Sequence, residues 1–206
     1  MKRKFKLITS VASLCLAIAL MAFGVYAAAK PTVTVTGSVT FTATHVYADI
    51  YADVADAAVA SGGALAFDYT GVAATEFRNE ETSSKDYGTL TMPAINDMNV
   101  RSAYQVKIKD ASTSESVGVG LESVKLTTGE VPAGASVKLY INADGLNTGD
   151  GVEYTSGTAI NAQPIKANGN SLIYITVVVE VDPVAAADTF TLAPALEIVL
   201  NRADIA

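Results

Sequence analysis

The chain has almost none of the residues on which disulfides and zinc sites depend. Its 206 residues include one cysteine, one histidine and no tryptophan. The cysteine, Cys15, lies in an apolar run near the N-terminus, so residues 28–206 contain none. A structural zinc site needs several cysteine or histidine ligands, and the single histidine cannot supply them. We therefore expect residues 28–206 to be stabilised by apolar burial, for which this length is sufficient.

The first 27 residues have the pattern of a secretory signal peptide. They begin MKRKFK, continue as an apolar run from Leu7 to Tyr26, and are followed by small residues. This pattern predicts a signal helix over residues 1–27 and cleavage between Ala27 and Ala28, with cleavage after Ala29 as a second position. Because the run is long enough to cross a bilayer, an uncleaved N-terminal anchor is the alternative.

Export would change the charge of the protein. The whole chain has 14 basic and 21 acidic residues, and four of the basic ones precede the cleavage site: Lys2, Arg3, Lys4 and Lys6. The exported part then has ten basic residues against 21 acidic ones, a net charge of −11. Such a surface repels nucleic acid and anionic membranes. We expect no nucleic-acid partner, and contact with a membrane only through the signal segment before cleavage.

The stretch TVTVTGSVTFTAT, residues 32–44, alternates between threonine and apolar residues. This alternation predicts a half-buried strand. Its apolar face is formed by Val33, Val35, Val39 and Phe41. Gly37 interrupts that face, which indicates either a bulge or a close approach of another group to the backbone. The pattern shows that the strand needs a sheet, and it leaves open whether that sheet belongs to the same chain or to a neighbour.

Strand patterns continue along the chain. Residues 100–109 predict a strand with Val100, Ser102, Tyr104, Val106 and Ile108 facing inward and with Arg101, Gln105, Lys107 and Lys109 facing water. The apolar stretch SLIYITVVVEV predicts a central strand covered on both faces, and Pro194 indicates an edge or a bulge in the last strand. Residues 79–88 read as a polar, exposed loop. We predict an all-β fold, an antiparallel β-sandwich of jelly-roll type, as a single domain over residues 28–206.

Candidate chemical sites are few. Asp144, Asn147 and Asp150 offer oxygen ligands for calcium, although their spacing fits a glycine-rich hairpin loop better. Asp49, Asp53 and Asp56 form an acidic cluster that fits a solvated strand face better than a carboxylate pair of a hydrolase. His45 suits a surface or structural role. We therefore predict that the protein is not an enzyme and needs no cofactor, with calcium as the one alternative.

Several segments resemble the TasA/camelysin family of exported Firmicute proteins. The signal ends in Gly24-Val25-Tyr26-Ala27, which fits the family's Gly-x-Tyr/Trp-Ala junction. Further similar segments are Gly37 to Ala43, Met92 to Val124 and Ser171 to Leu200. The family's Pro-Gly-Asp turn is absent, and Pro93 with Asn96-Asp97 stands in its place. Although some members are called metalloproteases, this sequence has no residues to which that activity could be assigned.

The resemblance implies a jelly-roll subunit of extracellular biofilm-matrix fibres. In such fibres the N-terminal strand of one subunit completes the sheet of the next, which would give Val33, Val35, Val39 and Phe41 the role of a donor face. The implied partners are further copies of the same chain, head to tail, with other matrix or cell-surface components as additional partners. The alternative is a monomeric, secreted adhesion or binding module that inserts the strand into its own sheet.

Overall fold

The computed structural model describes residues 33–113, 116–142, 152–153, 160–161, 165–167, 172–182 and 189–204. Within these ranges the protein contains strands and no helix. The strands are β1 Val33–Thr44, β2 Tyr47–Val54, β3 Thr75–Arg78, β4 Ser83–Thr91, β5 Arg101–Asp110, β6 Val117–Thr127, β7 Ala135–Asn142, β8 Val152–Glu153, β9 Ile160–Asn161, β10 Ile165–Ala167, β11 Leu172–Val181, β12 Phe190–Leu192 and β13 Ala195–Asp204. The all-β prediction is confirmed for this part of the chain, and the predicted signal helix over residues 1–27 lies outside it.

The strands form two sheets that share one apolar core. In the first sheet β4 pairs with β1, β1 pairs with β12 and β13, β13 pairs with β6, and β6 pairs with β9 and β10. In the second sheet the order is β3-β2-β5-β11-β7-β8. Side chains from both sheets meet in a single buried cluster, to which β1 contributes Val33, Val35, Val39 and Phe41.

The expectation of a purely antiparallel sandwich is wrong at one strand. β1 runs parallel to β12 and to β13, and antiparallel to β4, so the first sheet is mixed. Parallel neighbours cannot be joined by a tight hairpin and need a long connection. β1 and β13 stand near opposite ends of the described chain, so this requirement is met.

The polar segment 79–88 is only partly the exposed loop that its composition predicts. β4 begins at Ser83, and residues Ser83 to Thr91 pair with β1. Composition misses this strand because β4 is an edge strand in the described sheet: most of its residues remain exposed or half-buried, and only Leu90 is buried. Its order comes from backbone pairing with β1.

The outer face of β5 is covered, which corrects the orientation predicted for Arg101 and Gln105. Both side chains are buried. Arg101 Nη1 donates a hydrogen bond to the Gly63 carbonyl oxygen at 3.1 Å, and Tyr69 Oη donates one to Gln105 Oε1 at 2.8 Å. The covering residues belong to the connection between β2 and β3, so their position could not be read from the local alternation of β5.

The central position predicted for SLIYITVVVEV is confirmed. β11 pairs with β5 on one side and with β7 on the other. Its inward residues join the main core, and Val178 on the opposite face packs against Leu65 and Phe67. The same β2–β3 connection therefore explains why this strand is apolar on both faces.

A β-bulge in β6 explains a shift of phase in its sequence. Leu121 pairs with Leu200 and Ser123 pairs with Val199, which leaves Glu122 between them without an opposite residue. Glu122 is exposed, while Leu121 and Val124 on either side of the bulge are buried. One extra residue thus keeps both halves of the strand facing the core.

Deletion of Glu122 should preserve the fold, because Leu121 and Val124 would then be two residues apart and would still share a face. Deletion of Lys125, in the regular part of the same strand, should abolish cooperative unfolding, because the residues on one side of the deletion would turn outward. Urea denaturation followed by circular dichroism measures both variants. Equal damage from the two deletions would contradict the assignment of the bulge.

Candidate assembly strand and its slot

The predicted donor strand, β1, lies inside the first sheet of its own chain. Its residues alternate between buried and more exposed positions along its whole length. Val33, Val35, Val39 and Phe41 are each at most 1% exposed. The threonines point to the outer face, as the alternation predicts. We call the space between β4 on one side and β12 with β13 on the other the β1 slot.

Backbone pairing fixes β1 on both edges of the slot. On the β4 side, register pairs run from Thr36 with Thr91 to Ala43 with Ser83. On the other side, β12 pairs with residues 33–35 and β13 pairs with residues 38–44. Within the described residues β4 pairs with β1 alone. Without β1, the first sheet would therefore lose its central connection and β4 its partner.

The threonine face of β1 makes side-chain contacts across to β4 and the residue preceding it. Thr40 Oγ1 donates a hydrogen bond to Asp86 Oδ1 at 2.8 Å. The Thr42 and Ser84 hydroxyls are 2.8 Å apart, and the Thr44 and Thr82 hydroxyls are 3.2 Å apart. Such exposed cross-strand pairs contribute about 0.2–1 kcal/mol each. They add to the antiparallel pairing, while most of the stabilisation comes from the apolar face.

The edge strand β4 carries a lysine, Lys85, on the face that is turned towards the core. Lys85 Nζ lies 3.0 Å from Glu80 Oε1 and 4.3 Å from the centroid of the Phe77 ring, and it also donates to the Glu76 carbonyl oxygen. An inward-pointing charge on an edge strand opposes the addition of a further strand. The free edge of β4 is therefore protected against the addition of a further strand. The edge that faces the β1 slot, in contrast, is paired with β1.

A two-residue connection joins β1 to β2 and thereby to the second sheet. His45 adopts φ = 53°, in the left-handed region, and its N–H donates to the Glu80 carbonyl oxygen at 2.9 Å. Its side chain is exposed, in agreement with the surface role predicted for it, while Val46 is buried. Thr44 and His45 line an open depression with Asn79, Asn201 and Arg202.

Gly37 marks a close approach between the two sheets. A Cβ atom built on Gly37 would lie 2.6 Å from Cε1 and 2.8 Å from Cδ1 of the Tyr104 ring, which comes from β5. Of the two explanations for this glycine, the close approach is therefore the one observed here, and the irregularity in pairing with β4 lies at Val39 and Thr40. Tyr104 is fully buried, and burial raises the pKa of its hydroxyl above the ordinary value.

The acidic residues of β2 do not converge on one site. Asp49 Oδ1 accepts a hydrogen bond from Arg78 Nη2 at 2.6 Å. Asp53 accepts one from the Tyr69 N–H at 3.0 Å, and Asp56 is exposed. Among the described residues there is no group of three or more His, Cys, Asp or Glu side chains that could hold a metal ion.

Some predicted sites lie outside the described residues. These are the calcium candidates Asp144, Asn147 and Asp150 and the cleavage-site residues Ala27 and Ala28. In the part of the chain that is described, no helix has the length and apolar character required to span a membrane.

Substitutions on the two faces of β1 should have different effects on the free energy of unfolding. Phe41→Ala should lower the free energy of unfolding by about 3–5 kcal/mol, since it removes a fully buried aromatic side chain. Thr42→Ala, on the outer face, should cost less than about 1 kcal/mol. Urea denaturation of unassembled protein measures both. Equal effects of the two substitutions would show that β1 is not seated as described.

Comparisons with known proteins assign no family to the chain. No protein-family model matches it, and no curated protein matches it either. Among solved structures, the mu-homology domain of yeast delta-COP-I is 8% identical and aligns over 82% of this chain and 97% of its own, with a TM-score of 0.19. The major pilin of Streptococcus pyogenes is 9% identical, with 83% and 98% coverage and a TM-score of 0.18. The T6 backbone pilin of Streptococcus pyogenes is 10% identical, with 79% and 64% coverage and a TM-score of 0.19. Likenesses at these TM-scores establish neither a shared fold nor a shared function.

Proposed function

We propose that this protein is a non-enzymatic, jelly-roll subunit of an extracellular fibre, of the TasA/camelysin kind, that polymerises by donating β1 to the β1 slot of a neighbouring copy. The observation that carries the proposal is the β1 slot, which a strand must fill on both edges. The strand β1 completes a sheet along both of its edges, yet only His45 and Val46 connect it to the next strand. An identical slot in a second copy offers the same contacts, which is the basis of strand exchange between subunits.

The apolar face of β1 supplies the stabilisation that a donated strand needs. Four buried apolar side chains contribute roughly 1.5–3 kcal/mol each, or several kcal/mol together. Part of this is offset by the loss of freedom on association. Because self-insertion and donation make the same contacts within the slot, the balance between them depends on the connection at His45 and on protein concentration.

The signal-peptide pattern of residues 1–27 is the second support for the proposal. With cleavage after Ala27, β1 is preceded by a short segment, and the strand is tethered to its domain on one side only. The exported part has no cysteine and therefore no disulfide that would fix β1 to its own sheet. A strand held by pairing and burial alone can leave one slot and enter another. The proposed location is accordingly the biofilm matrix or the cell surface.

A monomeric, secreted adhesion or binding module is the alternative. It is favoured by one observation, the seating of β1 in the sheet of its own chain.

The two functions differ in how the state of the protein depends on its concentration. Protein starting at residue 28 should assemble into fibres visible by negative-stain electron microscopy, whereas a monomeric sedimentation coefficient independent of concentration would favour the alternative.

Cysteine cross-linking should show whose strand fills the slot. Because residues 28–206 contain no cysteine and the Thr42 and Ser84 hydroxyls lie 2.8 Å apart, Thr42→Cys and Ser84→Cys place two thiols across the β1–β4 boundary. One chain carrying only Thr42→Cys, mixed with one carrying only Ser84→Cys, should form a mixed disulfide dimer under assembly conditions. Non-reducing gel electrophoresis measures its yield.

The double variant Thr42→Cys, Ser84→Cys supplies the internal control. Donation predicts a ladder of covalent multimers from it, since each strand is then bound to the next chain. Self-insertion predicts a cross-linked monomer, together with no mixed dimer from the two single variants. That second pattern would refute strand donation without any loss of folded protein.

A further inference from the structure

The sequence of β1 does not by itself fix where the strand sits along its slot. A slip by one residue turns its apolar face outward, but a slip by two residues keeps every residue on its face. The apolar face repeats valine at residues 33, 35 and 39, and the outer face repeats threonine. Alternation therefore excludes odd slips and leaves even slips open.

Gly37 is the one position of the buried face without a side chain. It lies where the Tyr104 ring of the opposite sheet reaches the backbone of β1, and a Cβ atom there would stand 2.6 Å from Cε1 of that ring. Carbon atoms that are not bonded to each other are normally separated by about 3.5–4.0 Å. A slip by two residues would bring Val35 or Val39 to this place and drive a branched side chain into the ring.

The Tyr104 ring is enclosed by the core. It is fully buried, in the same apolar cluster as Phe41, Val39 and Leu90. Its hydroxyl makes no hydrogen bond among the described atoms. The ring is therefore held against Gly37 by packing. In a close-packed interior, such a ring can move only if the neighbouring side chains move as well.

We propose that Gly37 and Tyr104 form a register lock, a glycine gap and an aromatic stop that admit β1 into the slot in a single register. Within one chain this inference stands on the observed packing. Between chains it rests on the proposed donation of β1, and the lock then specifies the partner as a second copy of this chain: the incoming strand must bring a glycine to the Tyr104 of the receiving subunit.

The lock should be measurable within one chain, in dilute, unassembled protein whose slot holds its own β1. In the Thr42→Cys, Ser84→Cys background, Gly37→Val should reduce the yield of the native-register disulfide by about tenfold or more, since overpacking a buried site is strongly unfavourable. Adding Tyr104→Ala removes the ring, and it should raise the disulfide yield several-fold above that of the Gly37→Val protein. Ser38→Val places the same side chain on the exposed face next to Gly37 and should leave the yield unchanged.

Two results would overturn the lock. One is a Gly37→Val protein that cross-links as well as the Ser38→Val control. The other is a double variant, Gly37→Val with Tyr104→Ala, that cross-links no better than Gly37→Val alone. If Gly37→Val fails to fold, the same comparison is made on the recovery of folded protein, where rescue by Tyr104→Ala supports the lock and absence of rescue refutes it.

The same pair tests recognition between chains. A donor carrying Gly37→Val and Thr42→Cys is mixed with acceptors carrying Ser84→Cys and either Tyr104 or Tyr104→Ala. With this donor, the Tyr104→Ala acceptor should form several-fold more mixed disulfide than the Tyr104 acceptor. A donor that keeps Gly37 should not prefer the Tyr104→Ala acceptor. Rescue within one chain without any mixed disulfide would leave the lock standing and refute donation. Mixed disulfide that forms equally with both acceptors would confirm donation and refute the lock.

Discussion

The insertion of β1 between β4 and β13 is the interaction on which the first sheet depends. β4 has no other strand partner among the described residues, and β13 would present an open edge without β1. The core also loses a row of apolar side chains if β1 is absent, since Val33, Val35, Val39 and Phe41 are all buried there. The first sheet therefore needs a strand of this pattern between β4 and β13, whichever chain supplies it.

Local alternation was sufficient to predict a strand such as β1, in which one face is buried and the other is more exposed. The bulge of β6 became visible only in its pairing with β13. The prediction was wrong at Arg101 and Gln105, because the residues that cover them are more than 30 positions away in the chain. It was also wrong in part at residues 79–88, where pairing to β1 orders a polar segment that has little apolar content of its own.

The slot was less predictable than the strand. The sequence indicated that Gly37 has a special role, but nothing in its surroundings named Tyr104, which lies on a different sheet. The pairing of β1 with β13 could not be foreseen either, since parallel neighbours distant in sequence leave no local signal. The β1 strand is thus recognisable from its own residues, whereas its slot is built from three other strands and becomes visible only in the fold.

The direction of β1 within the slot has a mechanical consequence for a fibre built by donation. A connection of two residues spans at most about 7 Å, so it offers almost no slack between adjacent subunits. Tension along the fibre would pull β1 along its own axis, between a parallel and an antiparallel neighbour. The backbone hydrogen bonds on both edges would then be loaded in shear and would have to yield together. The same strand peeled from one end would release them one after another, at far lower force.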